Sequence, residues 1–216
     1  NMPVKIDEAP FKVYRNVFNS LGLGVKSGID LPFETEGYKG KEYNAGLLLN
    51  YSIGQYDTYS VMQLASYVNT IINEGERLKE VKYATKDNSI GKTKSTYQKT
   101  VLNNSNIDNI YFKRVKEGFA SVMKGMLGRG YMGGSPDPAG KTGTSETFYD
   151  SDLDGKVDTE TYSKSFIGYA PKDDPVMSIV AISPHVRYKN TNSTYASNVN
   201  KRIVSRICNI FFENYK

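Results

Sequence analysis

Tryptophan is missing from the 216 residues, and cysteine and histidine occur once each. The single cysteine, Cys208, excludes an internal disulfide, and among Ile203, Val204, Ile207 and Ile210 it reads as a buried, inert thiol. One histidine with no partner motif, His185, is no general base by default and reads as structural. Long apolar runs are lacking too, so no segment here spans a membrane. No secretory signal opens the chain, and Asn1 before Met2 reads as the start of an excised piece of a longer protein. Charge of one sign is never concentrated. The net charge is +5, but the basic residues are scattered, with no dense block and no aromatic-interleaved stripe. Nucleic acid is therefore not an expected partner. The nearest approach is the polar stretch 79–99, which reads as a solvated loop or hairpin. No internal repeat is visible.

What is present is ordinary for a globular protein: 38% hydrophobic and 24% charged residues, in a length that supports one good core. Helical spacing runs from Ala9 to Leu21, with Phe11, Tyr14, Phe18 and Leu21 on one face and Gly22 and Gly24 placed to end it. A second amphipathic stretch, Thr58 to Asn73, lines up Val61, Leu64, Ala65, Val68, Ile71 and Ile72 and is closed by Gly75. A third, Lys113 to Leu127, does so with Val115, Phe119, Val122, Met123 and Met126. The chain then turns to β-branched and aromatic residues at period two. Thr144 to Tyr149, Thr161 to Ala170 and Pro175 to Ser183 read as strands, the last two joined by a turn at Lys172-Asp173-Asp174. Tyr195 to Tyr215 returns to helix, with Val199, Ile203, Ile207, Ile210 and Phe211 in register. Hairpin-length links make the strands antiparallel, so the expected class is α+β: an antiparallel sheet flanked by helices.

One stretch, PDPAGKTGTSE from Pro136 to Glu146, carries chemistry. Gly140-Lys141-Thr142 could close a phosphate-cradling loop. That loop needs a glycine five residues before Gly140, where Ser135 stands, and it must follow a buried strand and open a helix. Prolines precede this stretch and a strand follows it, so the nucleotide reading fails.

Lys141-Thr142-Gly143-Thr144 instead resembles the motif on the strand that edges the active site of class B penicillin-binding proteins. Other segments agree in order. Leu21-Gly22-Leu23-Gly24 with Ser27-Gly28-Ile29-Asp30-Leu31-Pro32 is similar to the family's glycine-rich lead into a TGIDLP stretch. Ser52-Ile53-Gly54-Gln55 with Gln63-Leu64-Ala65 resembles its IGQG and QLA helix, and Phe166-Ile167-Gly168-Tyr169-Ala170-Pro171 its next strand. The resemblance covers nearly the whole chain. It implies that residues 1–216 are the C-terminal portion of a transpeptidase domain, a partial penicillin-binding protein/serine β-lactamase-like fold.

Alternation along a strand puts Thr142 and Thr144 on one side. The resemblance gives their hydroxyls the terminal carboxylate of a peptide, and gives the Thr144 N–H a place in the oxyanion hole. Gly143 leaves room for substrate lying along the edge as an added strand. Lys141 is expected to point inward, beside the hydrogen-bond network of the nucleophile. Lys141 and Thr144 are thus the catalytic candidates, and Thr142, Gly143 and Thr144 the substrate-binding ones. The family's nucleophile is the serine of S-x-x-K, followed by S-x-N before KTG. Here S-x-x-K occurs as Ser89…Lys92 in a polar loop and Ser121…Lys124 within a helix, and S-x-N does not occur. Both matches read as chance, and the nucleophile-bearing part is expected to lie outside this sequence.

The resemblance implies a peptidoglycan D,D-transpeptidase that binds β-lactams and stem peptides, requires no cofactor, and acts outside the cytoplasm from a membrane-anchored parent. The competing class is a penicillin-binding-like module for interaction or sensing. A sheet lacking its further strands would leave the strand Pro175 to Ser183 with an exposed edge, through which copies could self-associate.

Finally, Asp150, Asp152, Asp154, Lys156 and Asp158 fall at the first, third, fifth, seventh and ninth positions of a calcium loop, with Gly155 at the sixth. Thr161 holds the twelfth position, where a bidentate Glu belongs, and strands flank the loop. The stretch is either a candidate calcium site or an acidic hairpin tip between two strands.

Overall fold

The computed structural model describes residues 4–80, 99–191 and 198–215. Most of the polar stretch at 79–99, including Ser89 and Lys92, lies outside the described residues. The chain divides into two units, Asn1–Phe112 and Lys113–Lys216.

The first unit is built on three helices. Helix α1 (Ala9–Ser20) starts with Pro10 in its first turn, where a missing N–H costs nothing, and with the Ala9 N–H donating to Asp7. It ends where Gly22 takes φ +99°, a left-handed turn open to glycine, and the Leu23 N–H returns to the Phe18 carbonyl at 2.9 Å. Helix α2 (Ala45–Ser52) is capped by Asn44, whose side chain accepts from the Leu47 N–H. Helix α3 (Val61–Ile72) opens on a capping box between Ser60 and Gln63. Two short strands, β1 (Glu76–Leu78) and β2 (Val101–Asn104), pair antiparallel. The core of this unit is aromatic. Phe11 is fully buried, with Tyr43, Tyr51 and Tyr56 ring centroids at 5.1, 6.0 and 4.9 Å.

The periodicity reading finds α1 and α3 but not α2, β1 or β2. Leu47-Leu48-Leu49 is a continuous run with no helical spacing, and α2 exists because Asn44 caps it and Tyr51 is buried.

Helix α4 (Asn109–Lys124), whose residues from Lys113 onward belong to the second unit, buries Phe119 and Met123 there. It stops at Lys124, so Met126, expected on the buried face, is 91% exposed. Strands β3 (Ala139–Tyr149), β4 (Thr159–Ala170) and β5 (Met177–Tyr188) form one antiparallel sheet in the order β3-β4-β5. The α+β expectation and the three successive strands are both met. Helix α5 (Val199–Asn214) closes the chain.

The orientation of α5 differs from the expectation. Its buried residues are Asn200, Val204 and Cys208, while Ile203, Ile207 and Ile210 are half exposed. Small side chains let the helix approach the sheet, and Asn200 is held there by three hydrogen bonds. It donates to the carbonyls of Lys164 and Ala181 and accepts from the Ser183 hydroxyl. Val204 and Cys208 join Met123, Tyr131, Met132, Phe166 and Ala170 in one core.

Candidate functional site

β3 is an edge strand of the three-stranded sheet among the described residues, and Lys141-Thr142-Gly143-Thr144 lies within it. The register with β4 sets which side each residue faces. Thr142 stands opposite Phe166 and Thr144 opposite Lys164, so both threonines share one face. Lys141 and Gly143 stand opposite Ile167 and Ser165, on the other face. The sequence expectation of paired threonines therefore holds, and the pairing extends to a residue that sequence reasoning missed. The Lys164 ammonium donates to Thr144 Oγ1 at 2.7 Å. Burial, with help from the neighbouring Arg187 charge, holds the Lys164 pKa below its ordinary value. No spacing rule could have found this residue, because Lys164 meets Thr144 only through the hairpin register.

The inward orientation expected of Lys141 is not found in this chain. Its side chain is exposed, and its ammonium donates to the carbonyl of its neighbour Thr142. Among the described residues no element covers this edge of the strand, which leaves the lysine to solvent or to a local bond.

Gly140 and Gly143 show two different needs for glycine. A Cβ at Gly140 would lie 2.6 Å from the Ile167 carbonyl oxygen, which is backbone and cannot move aside. A Cβ at Gly143 would meet the Ser165 hydroxyl at 2.2 Å, a side chain that can rotate. The first glycine serves the fold; the second keeps the Lys141 face low.

Of the two S-x-x-K matches, Ser121 and Lys124 are both exposed in the last turns of α4, far from a helix start. His185 is exposed and bonds to its neighbours in the sheet. Its ring Nδ1 lies 2.8 Å from Thr161 Oγ1, its N–H donates to Ser163 Oγ, and its ring lies 5.0 Å from that of Tyr149.

The acidic loop is the tip of the β3–β4 hairpin. Carboxylate oxygens of Asp150, Asp152 and Asp154 lie within 4.8 Å of one another, a grouping that could hold a metal ion. The two Asp150 oxygens accept from the N–H groups of Asp154 and Gly155. Lys156 caps Asp154 with its ammonium at 2.7 Å and holds that carboxyl below its usual pKa. Asp158 is not part of the cluster. The tip thus satisfies much of its own charge.

Residues 7–209 match the family model of the penicillin binding protein transpeptidase domain. The chain belongs to that family. Among curated relatives, penicillin-binding protein 2A of Bacillus subtilis is 38% identical over 96% of this chain. Penicillin-binding protein 2B of Streptococcus pneumoniae is 34% identical over 94%. In each case the chain spans 30% of the relative's own length. The solved structure of penicillin-binding protein 2B from S. pneumoniae strain R6 matches all of this chain with a TM-score of 0.74 at 28% identity, over 35% of its own length. Among the described residues of this transpeptidase-family chain, no helix is long and apolar enough to cross a membrane.

Proposed function

We propose that this chain is the KTGT-bearing part of a D,D-transpeptidase that cross-links peptidoglycan stem peptides and is acylated by β-lactams. The observation that carries the reading is the placement of Lys141 to Thr144 on a sheet edge that is unpaired among the described residues, with both threonines on one face. A stem peptide laid along that edge adds backbone hydrogen bonds as a further strand. The Thr142 and Thr144 hydroxyls then take its terminal carboxylate, and the Thr144 N–H serves as one oxyanion donor. Gly143 gives the peptide room, and Lys141 lends its charge to the serine that attacks. That serine forms an ester with the penultimate residue and releases the terminal one. An acceptor amine then takes the acyl group and frees the serine. The nucleophile is carried by a segment outside these residues, because Ser121 sits at the wrong end of its helix. The reaction belongs outside the cytoplasmic membrane, where peptidoglycan is.

The experiment is labelling with a fluorescent, membrane-impermeant penicillin. The 216-residue chain alone is expected to take no label, and the longer protein that contains it is expected to be labelled in intact cells. Label on the short chain, mapped to Ser89 or Ser121, refutes the division of labour proposed here. No label on the longer protein favours a second reading, a non-catalytic penicillin-binding-like module, and absence of S-x-x-K at a helix start and of S-x-N from the preceding residues of that longer protein would support it.

Calcium at the hairpin tip is, on this reading, a weak occupant. An ion would have to displace Lys156 from Asp154 and compete with two N–H groups for Asp150. Without the bidentate twelfth ligand, we expect a dissociation constant on the order of 10⁻⁴–10⁻³ M. Calorimetry of wild type against the double variant Asp152→Ala, Asp154→Ala reads it, and equal heats from both remove calcium.

A further inference from the structure

A threonine hydroxyl has one proton to give and two lone pairs to receive, whereas a lysine ammonium can only give. The bond from Lys164 to Thr144 Oγ1 therefore fills a lone pair and leaves the Thr144 proton free to donate outward. The lysine is well held. It sits on the central strand, directly opposite Thr144, and its carbonyl accepts from Asn200 Nδ2 at 2.9 Å. Asn200 is itself 1% exposed, so this stretch of strand is fixed from the α5 side. Among the described residues the Lys164 ammonium has no carboxylate partner. The charge that acts on it is Arg187, a second cation, whose guanidinium lies 4.6 Å over the Tyr162 ring. The next acidic residue along this face, Glu146, stands opposite Tyr162, and its charge acts on Lys189. Two threonine hydroxyls and an unneutralised ammonium on one face make a site for a carboxylate.

We propose that Lys164 is a positioning and specificity-determining residue for carboxylate-bearing ligands of the KTGT edge, fixing Thr144 as a donor and adding its own charge. The inference rests on the transpeptidase reading above. It concerns the terminal carboxylate of a stem peptide and the ring carboxylate of a penicillin, which present the same chemistry to the edge. An arriving carboxylate supplies the opposite charge that offsets the desolvation and the Arg187 repulsion Lys164 bears in the free protein.

The test uses the longer protein that contains this chain, acylated in parallel by a penicillin and by its uncharged methyl ester. In Lys164→Met the ratio of carboxylate to ester acylation rates is expected to fall about tenfold, as for the loss of one hydrogen bond to a charged group. Lys164→Arg should restore most of it. In the double variant Lys164→Met, Thr144→Val, acylation by penicillin should fall further below Thr144→Val alone by clearly less than the tenfold seen in the wild-type background, because part of the lysine's effect runs through that hydroxyl. A ratio unchanged in Lys164→Met, or equal losses for both ligands, overturns the role of Lys164 while leaving the transpeptidase reading in place. A wild-type protein labelled by neither ligand overturns that reading and this inference with it.

Discussion

Replacing Asp57 by alanine is expected to destabilise the first unit by about 3–5 kcal/mol, the cost of stranding a buried charge. The Asp57 side chain is only 2% exposed and that of Arg15 12%. The carboxylate accepts from Arg15 Nε and Nη2 at 2.9 Å each, from the Gly40 N–H at 2.9 Å and from the Tyr51 hydroxyl at 2.8 Å. Arg15 in turn donates to the Gly40 carbonyl. One carboxylate thus ties α1 to the loop at Gly40 and to α2. Alanine removes both carboxylate oxygens at once and leaves the guanidinium with the Gly40 carbonyl and, at 3.7 Å, the partly exposed Glu8 carboxylate. Tyr51→Phe, which deletes the hydroxyl's bond to Asp57 and its longer contact with the Tyr59 hydroxyl, should cost about 1–2 kcal/mol. Urea denaturation read by hydrogen exchange in α1 separates the two, and an Asp57→Ala cost below that of Tyr51→Phe would sink the argument.

The same carboxylate gives the effect a pH signature. Burial alone would raise the Asp57 pKa, but the bonds from Arg15, Gly40 and Tyr51 outweigh it and hold the pKa below the ordinary value. A depressed folded pKa contributes stability that is complete above the unfolded value, about 3.9, and is lost as pH falls through the folded one. The gap between wild type and Asp57→Ala should therefore be widest near neutrality and shrink below about pH 4.

How much of this was readable beforehand differs by element. Where one face of a helix is aromatic and regular, as in α1, spacing was enough. In α5 the same rule chose the wrong face. Ile203, Ile207 and Ile210 dominate the apolar spacing, yet Asn200, Val204 and Cys208 pack on the sheet. Periodicity counts apolar residues and cannot see that a polar Asn is buried because three partners satisfy it. The KTGT edge was legible as a short motif with the right neighbours in the right order. Lys164 was not, because its meaning lies in the register of a hairpin whose tip was ambiguous between a turn and a metal loop. The Arg15–Asp57 pair, 42 residues apart in sequence, was invisible for the same reason: only the fold brings the two together.

Lys141→Ala, in the longer protein, is expected to slow β-lactam acylation about 10²–10⁴-fold, the range for losing a group that assists proton transfer. Its effect on stability should stay within about 0.5 kcal/mol, as for an exposed surface position. The structure supports that separation. Lys141 is exposed, and its ammonium bonds only to the carbonyl of the adjacent Thr142, a contact that holds no element in place. Among the described residues no packing contact requires a lysine there, which is what the proposed role in the reaction expects. Gly140, one residue earlier, makes the opposite case. Alanine there would press on the Ile167 carbonyl and should lower the melting temperature before it touches the chemistry. Lys141→Arg keeps the charge but swaps a compact ammonium for a broad planar fork, and should recover only part of the rate. Stopped-flow acylation and thermal melts on the same samples decide the matter. A Lys141→Ala protein that acylates at the wild-type rate would remove this residue from the mechanism, and one that melts early would make it structural.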